Sequence, residues 1–394
     1  MRFHGMTIGV PKEIMKGERR VSAIPDTVKK MREEGATVLV ESGAGDASFF
    51  HDEQYAASGA ELIDRVETLF ERSDIILKVK EPTYNEVLKK HEVELFRPGQ
   101  CLITFLHPAS PSNHSMVKRL AERGILSLTL DGIPRITRAQ SMDALTSMST
   151  VAGYKAVLMA ADRLPKFVPM VGTAVGMIKP ASVMVIGTGI AGLQAIATAK
   201  RLGAVITSAD IRQDANEQAK SLGAKVIDLG IPQEIAIATG GYASKLPHEW
   251  LQKEQATVAP SVIASDIVIT AALIPGKLAP VIVTEKMVKE MKPGSIIVDI
   301  AIDQGGNCEI TEPGEVTEKY GVCIDGTKNI PGMVPVSSTW MFANNIYNYL
   351  VNLVHDSTID VDLSDEIIAS SLVTKDGKIL HAGALEAMAS RGVS

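Results

Sequence analysis

The chain has 394 residues, about twice the length of one compact domain, so two domains, or one interrupted by another, are expected and a single small module is excluded. Apolar residues make up 45% and charged residues 22%, enough to bury real cores and too apolar for a disordered or fibrous chain. Lys and Arg number 40 against 46 Asp and Glu, a net charge of −6; no field favours nucleic acid or anionic lipid, and small-molecule chemistry is the expectation.

The N-terminus, MRFHGMTIGVPKE, reaches Lys12 and Glu13 after a short apolar stretch, whereas a secretory signal needs a longer apolar core and a cleavage region. The three cysteines, Cys101, Cys308 and Cys323, are far apart, odd in number and lack metal-ligand spacing, which points to a reducing compartment and no metal site. A cytoplasmic protein is expected.

The first third alternates strand and helix. MTIGV (6–10) is a short apolar run, PDTVKKMREEG (25–35) a helix opened by proline and closed by glycine, and ATVLVE (36–41) the next strand, together a βαβ unit. DIILKVK (74–80), CLITFL (101–106) and ILSLTL (125–130) are further strands, with NHSMVKRLAERG (113–124) an amphipathic helix between the last two. A second series runs through SVMVI (182–186), AVITS (204–208), AKVID (224–228), DIVIT (266–270), SIIVDI (295–300) and GVCIDG (321–326). Residues 141–163 and 337–354 have helical spacing and read as crossings between the two series. The expected fold is α/β, two Rossmann-like doubly wound parallel-sheet domains facing across a cleft. Residues 1–140 plus 330–394 would form a discontinuous substrate domain and 141–329 a dinucleotide-binding domain.

Twenty uncharged residues lie between Lys179 and Lys200, the length of a membrane-spanning helix. Their interior reads instead as a β-branched strand, a glycine turn and a helix, and a parallel strand buried on both faces explains the apolarity. Within it, Gly187-Thr188-Gly189-Ile190-Ala191-Gly192 follows a strand and opens a helix, the context that makes a glycine triplet a dinucleotide fingerprint. Gly187 allows the tight turn, Gly189 lets a pyrophosphate approach the backbone, and Gly192 permits close helix–strand contact. Asp210, 18 residues beyond Gly192, is placed to accept hydrogen bonds from an adenosine ribose, which favours NAD over NADP, with Arg212 close enough to qualify the preference.

These segments resemble the superfamily of alanine dehydrogenase and the α-subunit of proton-translocating NAD(P) transhydrogenase, over essentially the whole chain. PRITRAQSMDAL (134–145) is similar to the transhydrogenase segment whose arginine and glutamine, here Arg135 and Gln140, reach the nicotinamide end, with Asp143 nearby. Thr146 stands where that branch more often has serine, and TGGYASK (239–245) resembles its mobile loop, whose tyrosine, here Tyr242, would fold over the nucleotide. Other segments resemble alanine dehydrogenase. GERRV (17–21) places Arg20 at its carboxylate-binding arginine, LKVKEP (77–82) places Lys80 at its substrate lysine, and FLHPA (105–109) places His107 at its catalytic histidine. DIAIDQGG (299–306) places Asp303 at its catalytic aspartate, and NIPGMVPVSST (329–339), beginning with Asn329, resembles its cofactor-lining segment. Transhydrogenase subunits usually lack the lysine and histidine and carry glutamate in place of Asp303.

That set suits oxidative deamination. Arg20 offers a bidentate fork and Lys80 a point charge for a carboxylate. His107 can shuttle protons near neutral pH, and Asp303 can orient water or the nitrogen. Taken one at a time each has a plainer reading: Arg20, following Lys16, Glu18 and Arg19, as a solvated surface charge, and Asp303 as a cap before Gly305 and Gly306. The Met-rich SMDALTSM segment reads as packing. The expected function is hydride transfer between NAD(H) and a small amino acid or 2-oxo acid, in a homodimer or larger homo-oligomer. The alternative is the NAD(H)-binding subunit of a transhydrogenase, peripheral to the inner membrane and working with membrane and NADP-binding subunits.

Overall fold

The computed structural model describes residues 1–237, 243–274 and 278–389. The chain divides into two compact units, Met1–Met148 with Gly332–Ser394, and Ser149–Pro331.

The first unit opens with β1 (Thr7–Val10), α1 (Pro25–Glu33), β2 (Thr37–Glu41), β3 (Glu61–Ile63) and α2 (Val66–Arg72). It continues through β4 (Ile75–Leu77), β5 (Cys101–Thr104), α3 (His114–Glu122) and β6 (Leu126–Thr129). In α1, Pro25 occupies the first turn, where no N–H is needed, and the Thr27 hydroxyl accepts from the Ile24 N–H at 3.0 Å, so the orphan amides of the helix start are reduced. The central strands β4 and β5 are buried along their whole length and almost wholly apolar because both faces are covered. Ile75, Leu77, Cys101 and Ile103 enter one buried cluster, while Ile76 and Leu102 enter another with Leu69, Phe70, Val117 and Leu120 from the helices.

The long helix α4 (Ala144–Arg163) carries the boundary between the units. The second unit follows with a small hairpin, Val171–Thr173 paired with Gly176–Ile178, that the apolar patterning does not reveal. Then come β7 (Ser182–Ile186), α5 (Ile190–Arg201), β8 (Val205–Ala209), α6 (Gln213–Ser221) and β9 (Lys225–Val226). The unit ends with α7 (His248–Ala264), β10 (Ile267–Thr270), β11 (Ile296–Asp299), β12 (Val316–Lys319) and β13 (Val322–Asp325). Its sheet order is β9-β8-β7-β10-β11-β13-β12, parallel except for β12. The same two-sided burial recurs, with Val183, Val185, Ile267 and Ile269 on one face and Met184, Ile186 and Val268 on the other. The uncharged stretch 180–199 therefore folds as strand, turn and helix, and among the described residues no helix is long and apolar enough to cross a membrane.

The chain then re-enters the first unit through α8 (Pro335–Leu353), whose Phe342, Ile346, Tyr349, Leu350 and Leu353 join the first apolar cluster at helical spacing. An edge follows that the apolar patterning does not mark: β14 (Leu372–Lys375) pairs antiparallel with β6, and β15 (Lys378–Ile379) pairs with β14. The complete sheet is β15-β14-β6-β5-β4-β1-β2-β3. Each unit thus carries six parallel strands in the order 3-2-1-4-5-6, with the reversal between β1 and β4 in one and between β7 and β10 in the other. In such sheets ligands sit beyond the C-terminal strand ends at the reversal.

Candidate functional site

In the second unit the reversal is where the glycine turn lies. A Cβ on Gly187, whose φ is +83°, would stand 2.6 Å from the Ala272 nitrogen beyond β10, and one on Gly192 would stand 2.0 Å from the Gly187 carbonyl oxygen. Those two glycines are required by the protein itself. Among the described residues a Cβ on Gly189 would meet only Arg212 Nη2, at 3.9 Å, so none of them crowds this position at the start of α5, where helix amides suit a phosphate. Asp210 caps this turn: its Oδ2 accepts from the Thr188 N–H at 2.7 Å and from Arg212 Nη2 at 2.9 Å, and its Oδ1 from Arg212 N–H and Nε at 2.9 and 3.0 Å. The fork of Arg212 is therefore engaged by Asp210. Glu254 of α7, buried near them, is pushed up to about 7 by burial, with the charge of Asp210 adding to the rise.

Asp303 is exposed in the turn after β11, and its Oδ2 lies 3.5 Å from the N–H of Asn329, itself left-handed at φ +53°. Behind it Asp299, fully buried, accepts from Thr270 Oγ1 at 2.9 Å and from the N–H groups of Asn307 and Cys308 at 2.9 and 3.0 Å. The Asn307 amide in turn bridges to Ala272 N–H and carbonyl, both at 2.9 Å. This rack ties the Asp303 turn to the segment after β10.

In the first unit, charged residues collect past the C-terminal ends of β1, β4, β5 and β6. Arg20 is 3% exposed, which overturns its reading as a solvated charge. Its fork is engaged: Nε and Nη2 donate to Glu18 Oε1 at 2.8 Å and Oε2 at 2.5 Å, and Nη1 lies 2.9 Å from Met148 Sδ. Burial raises the Glu18 pKa, but Arg20, aided by Lys80, brings it below the ordinary value. Lys78, two positions before the predicted Lys80, is fully buried between Glu92 at 2.7 Å and Glu13 at 3.5 Å. Glu13 also accepts from the N–H groups of Val79 at 2.6 Å and Lys80 at 3.4 Å, fixing the backbone that presents Lys80. Burial drives Glu13 up to about 7 against the opposing charge of Lys78.

His107 has φ +45°, a conformation that costs a non-glycine residue on the order of 1 kcal/mol or more and marks functional sites. Asp131 holds it there with both oxygens: Oδ1 lies 2.7 Å from the ring Nδ1 and Oδ2 accepts the His107 backbone N–H at 2.7 Å. Thr129 donates its hydroxyl to the same carboxylate, and the ring stacks on Phe105 with centroids 5.7 Å apart. Asp131 favours the proton on Nδ1, so in the neutral ring the lone pair lies on Nε2. Burial alone would lower the His107 pKa, but Asp131 raises it overall, with Lys80 pulling down and Glu81 pushing up. Asp131 itself, despite burial, is brought to about 2 by His107 and Thr129. Arg20, Lys80 and His107 thus share one charged neighbourhood. Asp131 and the Glu13–Lys78–Glu92 group are partners that motif reading misses, because they lie up to 79 positions apart in the chain.

Arg135, in a loop, and Gln140, in the short 3-10 helix Thr137–Met142, are exposed ahead of α4. Asp143 caps that helix, accepting from Thr146 N–H at 2.8 Å and Thr146 Oγ1 at 2.7 Å, a role threonine fills as serine would. Tyr242 lies outside the described residues. The cysteines carry free thiols, Cys101 and Cys308 buried.

The model of the alanine dehydrogenase/PNT N-terminal domain matches residues 9–152, and that of the C-terminal domain matches residues 156–382. The chain is 41% identical over 379 residues to an NAD(P) transhydrogenase subunit alpha chain of Rhodospirillum rubrum, covering 95% of this chain and 98% of that one. It is 32% identical over 384 residues to the alanine dehydrogenase of Methanococcus maripaludis, covering 95% of each. A solved transhydrogenase structure from Sinorhizobium meliloti superposes with a TM-score of 0.81 at 36% identity, covering 95% of this chain and 99% of that one. Two sheets of Rossmann order, a glycine turn at one reversal and a charged cluster at the other accompany matches over nearly the whole length, and the chain belongs to the alanine dehydrogenase/PNT family of NAD(P)-dependent oxidoreductases.

Proposed function

We propose that the chain is an NAD-dependent dehydrogenase that deaminates a small amino acid and, in reverse, aminates its 2-oxo acid. The observation that carries the reading is the charged cluster of the first unit, in which Arg20, Lys80 and an Asp131-held His107 lie together. Gly187, Gly189 and Gly192 would hold the pyrophosphate of NAD and Asp210 its ribose, and when bound it supplies the hydride acceptor. Lys80 and the outer flank of the Arg20–Glu18 pair bind the substrate carboxylate. His107 moves protons at Nε2, taking one from the amino group and relaying protons as water adds and ammonia departs. The family resemblance assigns the orienting of water to Asp303. NAD is favoured over NADP because the Arg212 fork is engaged by Asp210, whose own charge would oppose a 2′-phosphate.

A second reading is favoured by one observation, the greater identity to the transhydrogenase subunit. There the chain would bind NAD(H) through Arg135, Gln140, Asp143, Tyr242 and Asn329 and work with membrane and NADP(H)-binding subunits. One assay separates the two: purified protein with NAD and a panel of small amino acids, and in reverse NADH, ammonium and 2-oxo acids. Turnover abolished by His107→Ala and by Asp303→Asn is expected. Absence of turnover with every substrate, with hydride exchange only when an NADP(H)-binding subunit is added, would sink the dehydrogenase.

A further inference from the structure

Past the ends of β4 and β5 the two chains keep the register of the sheet. The pairs Ile75↔Cys101, Ile76↔Leu102 and Leu77↔Ile103 are continued by bonds from Lys78 N–H to the Ile103 carbonyl at 3.1 Å and from Phe105 N–H to the Val79 carbonyl at 3.4 Å. Glu81 follows two residues beyond Val79, on the chain that runs beside the one leading to His107. The Glu81 Oε2 is buried and accepts no hydrogen bond from any described residue, and its charge is near enough to favour the protonated imidazole.

Among the described residues, the other carboxylates of this first-unit cluster named above are committed. Glu18 pairs with Arg20, Glu13 and Glu92 with Lys78, and Asp131 with His107. A buried acceptor without a donor is costly unless something else supplies one. An α-amino acid is a zwitterion, and this cluster offers Lys80 and Arg20 for one end of it. We propose that Glu81 is the amino-group subsite, receiving the α-ammonium of the amino-acid substrate and ammonium ion in the reverse direction. The inference rests on the amino-acid reading above.

The test uses Glu81→Gln, which keeps the shape, and Glu81→Asp, which keeps the charge, each checked for wild-type thermal unfolding. In reductive amination of pyruvate, KM for ammonium is expected to rise about tenfold to hundredfold in Glu81→Gln, with KM for pyruvate within about twofold and partial recovery in Glu81→Asp. Calorimetric titration in the presence of NADH is expected to show the same loss of affinity for L-alanine and none for propionate, which lacks the amino group. An unchanged KM for ammonium, an equal loss for pyruvate and propionate, or a shifted pH profile as the sole effect overturns the inference while wild-type turnover leaves the dehydrogenase reading intact. A wild type that neither turns over amino acids nor binds L-alanine overturns both. If Glu81→Gln fails to fold, Glu81→Asp carries the test alone: a raised KM for ammonium with an unchanged KM for pyruvate supports the inference, and a wild-type KM for ammonium overturns it.

Discussion

Asp131→Asn separates the electrostatic part of the His107 clamp from its hydrogen-bonded part. Asp131 accepts two donors of His107, the ring Nδ1–H and the backbone N–H, both at 2.7 Å. An isosteric amide retains one acceptor oxygen and loses the charge, so one donor is left without its partner at a cost of about 1 kcal/mol at every pH. The ion pair contributes separately. With the His107 side chain 39% exposed, solvent screening holds this contribution to about 1 kcal/mol. His107 has a raised folded pKa, so its share is complete below the unfolded value of about 6.5 and disappears as pH rises through the folded value. Asp131 is depressed to about 2, so its share is present above the unfolded value of about 3.9 and is lost as pH falls toward 2. Both describe one pair, whose stabilisation is fullest between about pH 4 and 6.5. Asp131→Asn should therefore cost about 2 kcal/mol at pH 6 and about 1 kcal/mol at pH 9. For a unit of this size the Tm gap between wild type and variant should narrow by about 2–4 °C over that range. Thermal unfolding across the pH series measures it, with the His107 ring titrated by NMR in parallel. A gap independent of pH, or one that widens as pH rises, would refute the ion pair as the source.

The glycine turn offers a paired experiment. Gly192→Ala forces a Cβ to within 2.0 Å of the Gly187 oxygen and should cost at least about 2 kcal/mol in chemical denaturation, whereas Gly189→Ala, which among the described residues meets only Arg212 at 3.9 Å, should leave stability within about 0.5 kcal/mol and weaken NADH binding at least about tenfold by fluorescence titration. Asp210→Ala releases the Arg212 fork and should shift the NADPH-to-NADH affinity ratio upward by about tenfold or more, an unchanged ratio speaking against Asp210 as the selector. Lys78→Met strands Glu13 and Glu92 together in the interior and should destabilise by about 3–5 kcal/mol at neutral pH. In the wild type the Glu13 pKa is raised to about 7, so its proton stabilises fully below the unfolded value and that support is lost as pH rises through 7; the Lys78→Met penalty should accordingly shrink in acid, as urea melts at pH 5 and pH 8 would show.

Both sheets are legible because a parallel strand covered on two sides writes a continuous apolar run, as in SVMVI and CLITFL. What those runs do not encode is where the charged turns beyond them meet. Asp131 lies 24 residues after His107 and Glu13 lies 65 before Lys78, and only the parallel order of β1, β4, β5 and β6 brings the strand ends together. The antiparallel edge does leave a sign: Asp376-Gly377, both at positive φ, joins β14 to β15 as two-residue hairpins prefer. Its flanking strands are too short and too polar for the apolar pattern to mark them. The charged run around Arg20 misleads, since the Glu18 two positions away that makes it look solvated is the partner that lets it be buried.

Overall identity and local chemistry weigh different things. A difference of 41% against 32% accumulates over positions that mostly pack cores and turns, and it measures kinship of the scaffold. The first unit meanwhile places a buried Arg20–Glu18 pair, a fully buried Lys78 between two carboxylates and a left-handed His107 around one set of strand ends. Buried charges are commonly no better for stability than apolar residues of the same volume, and a strained histidine is worse. A subunit whose only task is to pass hydride between nucleotides gains nothing from a carboxylate anchor and a proton shuttle, so selection for stability alone would tend to replace them. Their joint presence therefore counts toward a substrate that carries a carboxylate and exchanges protons, and the amino-acid panel asks that question directly.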